Sequence, residues 1–181
     1  MENLGKEIFE HYQKYLGEMI GADSFPDYDL QLMGYQDAIA DCLTFATMGL
    51  SLHKKELGTC CEAVLTTETD LDACADIFVK VLCYLIDTGL PMGPGLAIGG
   101  IDGLNPDFYA AHHKSALYFT ETTMFADSFR AVGDSCRIYM AFFISPEEEV
   151  LLKEKGMDAF EELLEQNRAD IINLDRPSVA E

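Results

Sequence analysis

The chain has 181 residues, 49% of them hydrophobic, and a formal net charge of −20 at pH 7. The length is typical of one domain with a core of its own. The charge argues against binding to nucleic acid or to anionic membranes, since both require clustered lysine and arginine. It favours fast, salt-sensitive association with a basic protein, and it equally suits a protein that is acidic for solubility alone.

Apolar residues at three- and four-residue steps near the N-terminus predict an amphipathic helix over residues 2–20, ended by Gly21. Residues 28–33 alternate between apolar and polar side chains and are predicted to form a strand. Two runs within residues 42–67 alternate in the same way, so they predict a central pair of strands, each with one face more buried than the other. The polar loop between them, residues 51–58, should be solvated.

A second helix is predicted to begin near Leu71, with Thr69 or Asp70 as its N-cap. It should stop at Gly89, where a glycine can end the last turn. The apolar face of this helix is wide, so the helix should lie across the sheet.

Residues 91–106 contain five glycines and three prolines, which indicates a loop or a set of turns with a short strand at residues 96–98. The glycines do not match a phosphate-binding loop. The Gly-Lys-Ser/Thr ending is absent, and Asn105 and Pro106 should interrupt any following helix. Two later apolar runs, residues 116–120 and 138–144, are predicted to be strands.

The last part of the chain contains a strong helix start. Ser145 can serve as N-cap, Pro146 occupies the first helical position and acidic residues fill the first turn. Gly156 should end that helix, and another helix is predicted from Met157 to about Asn167.

Six cysteines are present without any Cys-x-x-Cys motif, and most lie in apolar runs. Free cysteine in such positions behaves as a small hydrophobic residue, so the pattern predicts a reducing compartment rather than a disulfide framework. The polar N-terminus does not resemble a signal peptide. The longest apolar run, residues 77–86, is interrupted by Lys80 and is too short to span a bilayer. These features predict a soluble, cytoplasmic protein.

The order of these pieces resembles the suppressor-of-fused-like family over residues 28–179. The resemblance rests on a Thr-x-Gly-Leu-Ser turn, a strand containing Glu, a proline-initiated acidic helix, a glycine and a final Arg-x-Ser-Val. The residues that carry it are Thr47, Gly49, Leu50, Ser51, Glu62, Pro146, Glu149, Gly156, Arg176, Ser178 and Val179. Leu50 stands where the family often has methionine, and the glycine-rich segment replaces a more polar loop.

The resemblance implies an α+β fold in which a mixed β-sheet is covered by helices. Residues 1–181 would form a single compact suppressor-of-fused-like domain, with an N-terminal helix over residues 2–20 and a core over residues 27–179. It also implies a protein-binding role, without cofactor or metal, rather than catalysis.

Stand-alone bacterial members of the family resemble immunity proteins or antitoxins that neutralise polymorphic toxins. Animal relatives hold a transcription factor in the cytoplasm. The resemblance therefore implies a cognate toxin as the partner, with a basic nuclease as the favoured class. A regulatory protein that holds a non-toxin partner is an alternative.

Three positions are candidate structural residues: Gly49, Glu62 and Arg176. Glu62 interrupts an apolar strand, so its carboxylate either faces solvent or is buried with a partner, for which Arg176, Arg137 and Arg130 are candidates. An unpaired buried carboxylate is costly. A structural pair or simple exposure is therefore favoured over catalysis.

Another alternative is a ligand-binding, metal-binding or enzymatic role for the glycine-rich segment together with His112 and His113. These histidines could join His53 or Cys136 in a metal site, but no ligand spacing supports one. A Cys–His nucleophilic pair stays open, because such partners meet in space rather than in sequence.

Two acidic segments are the candidate partner-binding surfaces. Residues 146–175 hold ten acids and three bases, which predicts either a solvated helical face or a surface for a basic toxin. The C-terminal acidic set consists of Glu147, Glu148, Glu149, Glu154, Asp158, Glu161, Glu162 and Glu165. The rival N-terminal acidic set consists of Asp23, Asp27, Asp29, Asp37 and Asp41.

Overall fold

A mixed β-sheet forms the centre of the computed structural model, which describes residues 2–69 and 71–180. In chain order its strands are β1 (Met19–Phe25), β2 (Leu30–Gln36), β3 (Leu43–Met48), β4 (Cys61–Thr67), β5 (Ala97–Gly99), β6 (Ala116–Glu121), β7 (Ala131–Val132) and β8 (Cys136–Ile144). Across the sheet the order is β1-β2-β3-β4-β8-β6-β5, and β7 pairs with β8 outside this path. The β4–β8 pair is parallel, and the other pairs are antiparallel.

Helices cover both faces of this sheet. They are α1 (Glu2–Leu16), α2 (Lys54–Leu57), α3 (Leu71–Thr88), α4 (Ile101–Leu104), α5 (Pro106–His112), α6 (Pro146–Lys155) and α7 (Met157–Asn167). Helices α2 to α5 contribute to one hydrophobic core, and α1, α6 and α7 contribute to the other. This arrangement confirms the expected α+β fold. Within the described residues, no helix combines the length and apolar character needed to cross a membrane.

Strand β4 contributes side chains to both cores. Cys61, Ala63 and Leu65 pack on the α3 side of the sheet, while Val64 packs on the α1 side. Every residue of β4 is buried, so the expectation that one face would be more exposed is wrong for this strand. A central strand with helices on both sides must carry side chains that can be buried on both faces.

The N-terminal helix is shorter than predicted. It ends at Leu16, where Gly17 takes a left-handed φ of +92°, and residues assigned to its end form β1 instead. This strand pairs antiparallel with β2 at the edge of the sheet, and all of its residues except Phe25 are exposed. Because an exposed edge strand buries little, its sequence lacks the apolar alternation that marks a strand.

The central strand pair and the long helix are confirmed. Strands β3 and β4 pair antiparallel across the predicted polar loop, and α3 ends directly before Gly89. Of the two residues predicted to cap this helix, Asp70 lies outside the described residues. The strand predicted at residues 28–33 begins later, as β2 at Leu30, because Tyr28 ends a short 3-10 helix and Asp29 takes a left-handed φ of +46°. The two later apolar runs are β6 and β8.

The glycine-rich segment contains more regular structure than predicted. Besides β5 it holds α4, and Asn105 and Pro106 begin α5 rather than interrupt a helix. The Asn105 side chain accepts a hydrogen bond from the Phe108 backbone N–H at 3.1 Å. Proline fits the first helical position because no intrahelical donor is needed there.

The helix start at Ser145 is confirmed, and it is a full capping box. The Ser145 hydroxyl accepts a hydrogen bond from the Glu148 backbone N–H, and the Glu148 carboxylate accepts one from the Ser145 backbone N–H. As predicted, Gly156 separates α6 from α7.

Candidate functional site

Glu62 is a fully buried carboxylate that organises the turn after β3. The Thr47 hydroxyl donates a hydrogen bond to Oε2 at 2.6 Å. The backbone N–H groups of Gly49 and Ser51 donate to Oε1 at 3.1 Å each, and that of Leu50 donates to Oε2 at 3.3 Å. The Thr-x-Gly-Leu-Ser turn and the embedded Glu therefore form one hydrogen-bonded unit.

The expected pairing of Glu62 with an arginine, or its exposure to solvent, is wrong. Arg176 binds another carboxylate, Arg130 lies 3.0 Å from Asp127, and the side chain of Arg137 is exposed. Burial raises the pKa of Glu62, and the hydrogen bonds from Thr47 and the turn oppose that rise without cancelling it. The Glu62 carboxylate is therefore stabilised by neutral hydrogen-bond donors rather than by a cation, as expected for a residue that holds the turn in place.

Gly49 is the residue that this turn requires. Its φ is +113°, and a Cβ at this position would lie 2.1 Å from the carbonyl oxygen of Asp29. Both the backbone conformation and the close approach of the β1–β2 turn therefore demand glycine.

Glu148 is not a surface residue, which corrects its place in the C-terminal acidic set. Its side chain is fully buried and binds the guanidinium of Arg176, with Nη1–Oε1 at 2.5 Å and Nη2–Oε2 at 2.8 Å. The backbone N–H groups of Ser145 and Val179 also donate to this carboxylate. Burial works to raise the pKa of Glu148, but the hydrogen bonds and charge of Arg176 outweigh burial and lower it.

Lys114 is a buried cation beside this pair, and no sequence motif marks it. Only 2% of the residue is exposed, and its Nζ donates to the backbone carbonyl of Arg176 at 3.1 Å. Burial, followed by repulsion from Arg176, lowers the pKa of Lys114 to about 8. The spacing from Ser145 to Glu148 signals a capping box, but nothing in the sequence connects Lys114 or Arg176 to it.

The rest of the C-terminal acidic set does not form one free surface. Glu147 contacts His113 at 3.2 Å, Glu149 contacts Lys153 at 2.7 Å, and Glu161 accepts hydrogen bonds from Tyr118 and Thr120. The members that remain exposed and outside any ion pair with a described residue are Glu154, Asp158, Glu162 and Glu165.

Every member of the N-terminal acidic set is exposed, and none forms an ion pair with a described lysine, arginine or histidine. The structure divides it in two. Asp23, Asp27 and Asp29 lie on β1 and its turn into β2, whereas Asp37 and Asp41 lie in the β2–β3 turn. Asp27 and Asp29 precede β2 and Asp37 and Asp41 follow it, so a strand of about 20 Å separates them. Asp23 lies on β1 opposite Leu32, nearer the first of these two ends.

The two neighbouring histidines do not act together. His112 at the end of α5 contacts Asp175 at 2.8 Å, and His113 contacts Glu147 at 3.2 Å. Among the described residues, no group of three or more histidine, cysteine or acidic side chains could hold a metal ion. Burial raises the pKa of the Cys61 and Cys136 thiols, which disfavours the reactive thiolate at both.

Comparison with known proteins agrees with the motifs. A family model described as Suppressor of fused protein (SUFU) matches residues 27–177. No curated protein matches the chain.

Two solved structures share the fold. A protein described as a SUFU homolog from Neisseria gonorrhoeae FA 1090 matches with a TM-score of 0.80 at 10% identity, over 100% of this chain and 99% of that chain. A chain in the crystal structure of the Sufu–Fu complex matches with a TM-score of 0.68 at 13% identity, over 98% of this chain and 91% of that chain. At such identities the structural likeness establishes the fold alone. The family model spans most of the sequence, and the chain therefore belongs to the suppressor of fused family.

Proposed function

We propose that this chain is a protein-binding module that neutralises a basic protein toxin, as an immunity protein or antitoxin does. The observation that carries the proposal is the N-terminal acidic set, five exposed carboxylates without a described ion-pair partner on a chain of net charge −20. A protein-binding role is further supported by the family and by the match to a chain of the Sufu–Fu complex.

The charge favours a cationic partner because opposite fields steer the two proteins toward each other before contact. A nuclease is a suitable toxin, since its own substrate is anionic and its binding face must be basic. The six free cysteines support a reducing cytoplasm as the place where the two proteins meet. No enzymatic step and no cofactor are part of this function.

A regulatory partner is the second candidate. It is favoured by one observation, that a structure with the same fold is part of the Sufu–Fu complex. Sequestration of a regulator would use the same surfaces, but it would not protect cells from a toxin.

Co-expression tests the proposal. The chain is produced together with each protein encoded by neighbouring genes, growth is followed, and complex formation is measured by calorimetry at low and at physiological salt. We expect rescue of growth and an affinity that falls steeply as salt rises. Salt-independent binding would contradict the electrostatic version, and tight binding without rescue would favour the regulatory partner.

Charge-neutral variants locate the contact. The triple variant Asp23→Asn, Asp27→Asn and Asp29→Asn should weaken the complex. The matched control, Glu154→Gln, Asp158→Asn and Glu162→Gln, removes the same charge from exposed sites on α6 and α7. A larger loss in this control would assign the contact to the C-terminal acidic set instead.

A further inference from the structure

Strand β1 ends the sheet, and its outer edge is open. It pairs with β2 on one side, no other described strand pairs with it, and six of its seven residues are exposed. A register shift between Met19 and Gly21 bends the start of the strand, which leaves residues 21–25 as a regular edge. The backbone N–H and C=O groups along such an edge can pair with another extended chain.

An apolar cavity lies on the α1 side of β1. Its volume is about 610 Å³, and its lining includes Ser24 of β1, Leu4 and Ile8 of α1, and Leu52 from the turn that Glu62 holds. Leu52 is 57% exposed, so part of this apolar lining is open to solvent. An apolar side chain that entered this cavity would be removed from water.

A second cavity, of about 590 Å³, lies on the opposite, α3 side of β1. It is lined by Asp23 and Phe25 of β1 and by α3, which contributes the carboxylates Asp72, Asp76 and Asp87. The cation in this lining is Lys80, and it already binds Asp76 at 2.7 Å. The cavity is therefore acidic and favours a basic side chain.

Successive residues of β1 border different cavities. Asp23 and Phe25 border the α3-side cavity, while Ser24 between them borders the α1-side cavity. Successive side chains of any strand point to opposite faces of its sheet. A strand added beside β1 would therefore direct its side chains to the two cavities in turn.

We propose that the open edge of β1 accepts an extended segment of the protein partner, in which apolar side chains on the α1 side alternate with basic side chains on the α3 side. Main-chain hydrogen bonds to β1 supply affinity, and the two cavities supply sequence preference. This inference rests on the proposed protein-binding function, and it assigns that function to one edge and one type of segment.

A second copy of this chain is a poorer occupant. Pairing of two β1 strands would bring together two chains that each carry a net charge of −20, with Asp23 on both edges. Like charges opposite each other destabilise strand pairs.

The test uses the full chain and a fluorescent peptide of alternating lysine and valine. The control peptide has the same composition but groups the lysines in one half and the valines in the other, so it cannot present the two side-chain types to opposite faces. We expect the alternating peptide to bind at least about tenfold more tightly in anisotropy titrations.

N-methylation of the peptide tests strand pairing without altering the protein. Two versions are methylated at every second residue, offset by one position. Successive N–H groups of a strand point to opposite edges, so one version keeps the donors that face β1 and the other loses them. Several lost hydrogen bonds should separate the two affinities by at least roughly tenfold. Amide exchange of residues 21–25 should slow when the unmodified peptide binds.

A protein variant tests the acidic cavity. Asp23→Asn should weaken binding of the alternating peptide more than Glu154→Gln, which removes the same charge from an exposed site on α6.

Four outcomes would overturn the inference: equal affinity for the alternating and grouped peptides, no saturable binding, equal loss in both methylated versions, or self-association of the chain that protects the β1 amides. The last would assign the edge to a second copy. Because this assay needs no toxin, its failure beside successful growth rescue would reject the β1 edge and leave the proposed function standing.

Discussion

Arg176 and Glu148 form a buried, bidentate ion pair that fastens the C-terminal segment to the start of α6. Their side chains are 3% and 0% exposed, and the guanidinium also donates to the Phe143 carbonyl at the end of β8. Two motifs of the family resemblance, the acidic helix start and the final Arg-x-Ser-Val, are thus parts of one contact. The carboxylate that makes this contact is Glu148, next to the Glu149 of the motif.

Removing one partner of this pair should be strongly destabilising. Arg176→Met or Glu148→Gln leaves the other group buried without its counter-charge, and each should lower the free energy of unfolding by about 3–5 kcal/mol. Urea unfolding measures the loss, with the exposed Glu154→Gln as a control that should change stability by less than about 0.5 kcal/mol. The double variant should lose clearly less than the sum of the single variants. Additive losses would show that the two groups do not interact.

Lys114 should make stability depend on pH in the alkaline range. Burial lowers its pKa to about 8 in the folded chain, while the unfolded chain keeps a value of about 10.4. Between these values the unfolded chain binds a proton that the folded chain does not, so stability contributed by Lys114 rises with pH.

The measurement compares wild type with Lys114→Met in urea at pH 8 and pH 10. The free energy of unfolding of wild type, relative to the variant, should rise by about 1–2 kcal/mol over this range. Tyrosine and cysteine residues titrate in both proteins, so their effects cancel in the difference. A difference that stays constant with pH would mean that Lys114 titrates alike in the folded and unfolded chains.

Substitution of Glu62 by leucine should cost roughly 3 kcal/mol or more. The change leaves the Thr47 hydroxyl and three backbone N–H groups buried without an acceptor, and each such group carries a penalty of about 1–3 kcal/mol. Glu165→Leu, on the exposed face of α7, serves as the control in thermal or urea unfolding. If Glu62→Leu were as mild as the control, the carboxylate could not be holding the turn.

Alanine substitutions at two glycines with similar φ values distinguish the cost of backbone strain from the cost of steric overlap. Gly49 and Gly100 have φ values of +113° and +93°, but a Cβ on Gly100 would meet no atom within 4 Å. Gly100→Ala should therefore cost about 1 kcal/mol from the left-handed backbone alone. Gly49→Ala adds the overlap with the Asp29 carbonyl and should cost about 3 kcal/mol or more. Equal melting temperatures for the two variants would refute the close contact at Asp29.

Much of the fold could be predicted because its signals are local. Serine followed by proline and acids begins α6, glycine separates α6 from α7, and alternating apolar residues identify β3 and β4. Strand β1 gives no such local signal, because an edge strand exposed on both faces has no apolar period. The start of α5 is not predictable in this way, because Asn105 followed by Pro106 can stop one helix or cap the next.

From the sequence alone one can identify most of the helices and strands, and the large excess of carboxylates. The role of each carboxylate depends on the folded structure. Glu148 and Glu154 are both acids of α6, yet one is buried against Arg176 and the other is in water. The state of a carboxylate depends on the groups that packing brings to it from distant parts of the chain. Glu62 likewise binds groups that lie 11 to 15 residues earlier in the chain. The two cavities beside β1 are completed by α1 and α3, which are separate segments of the chain.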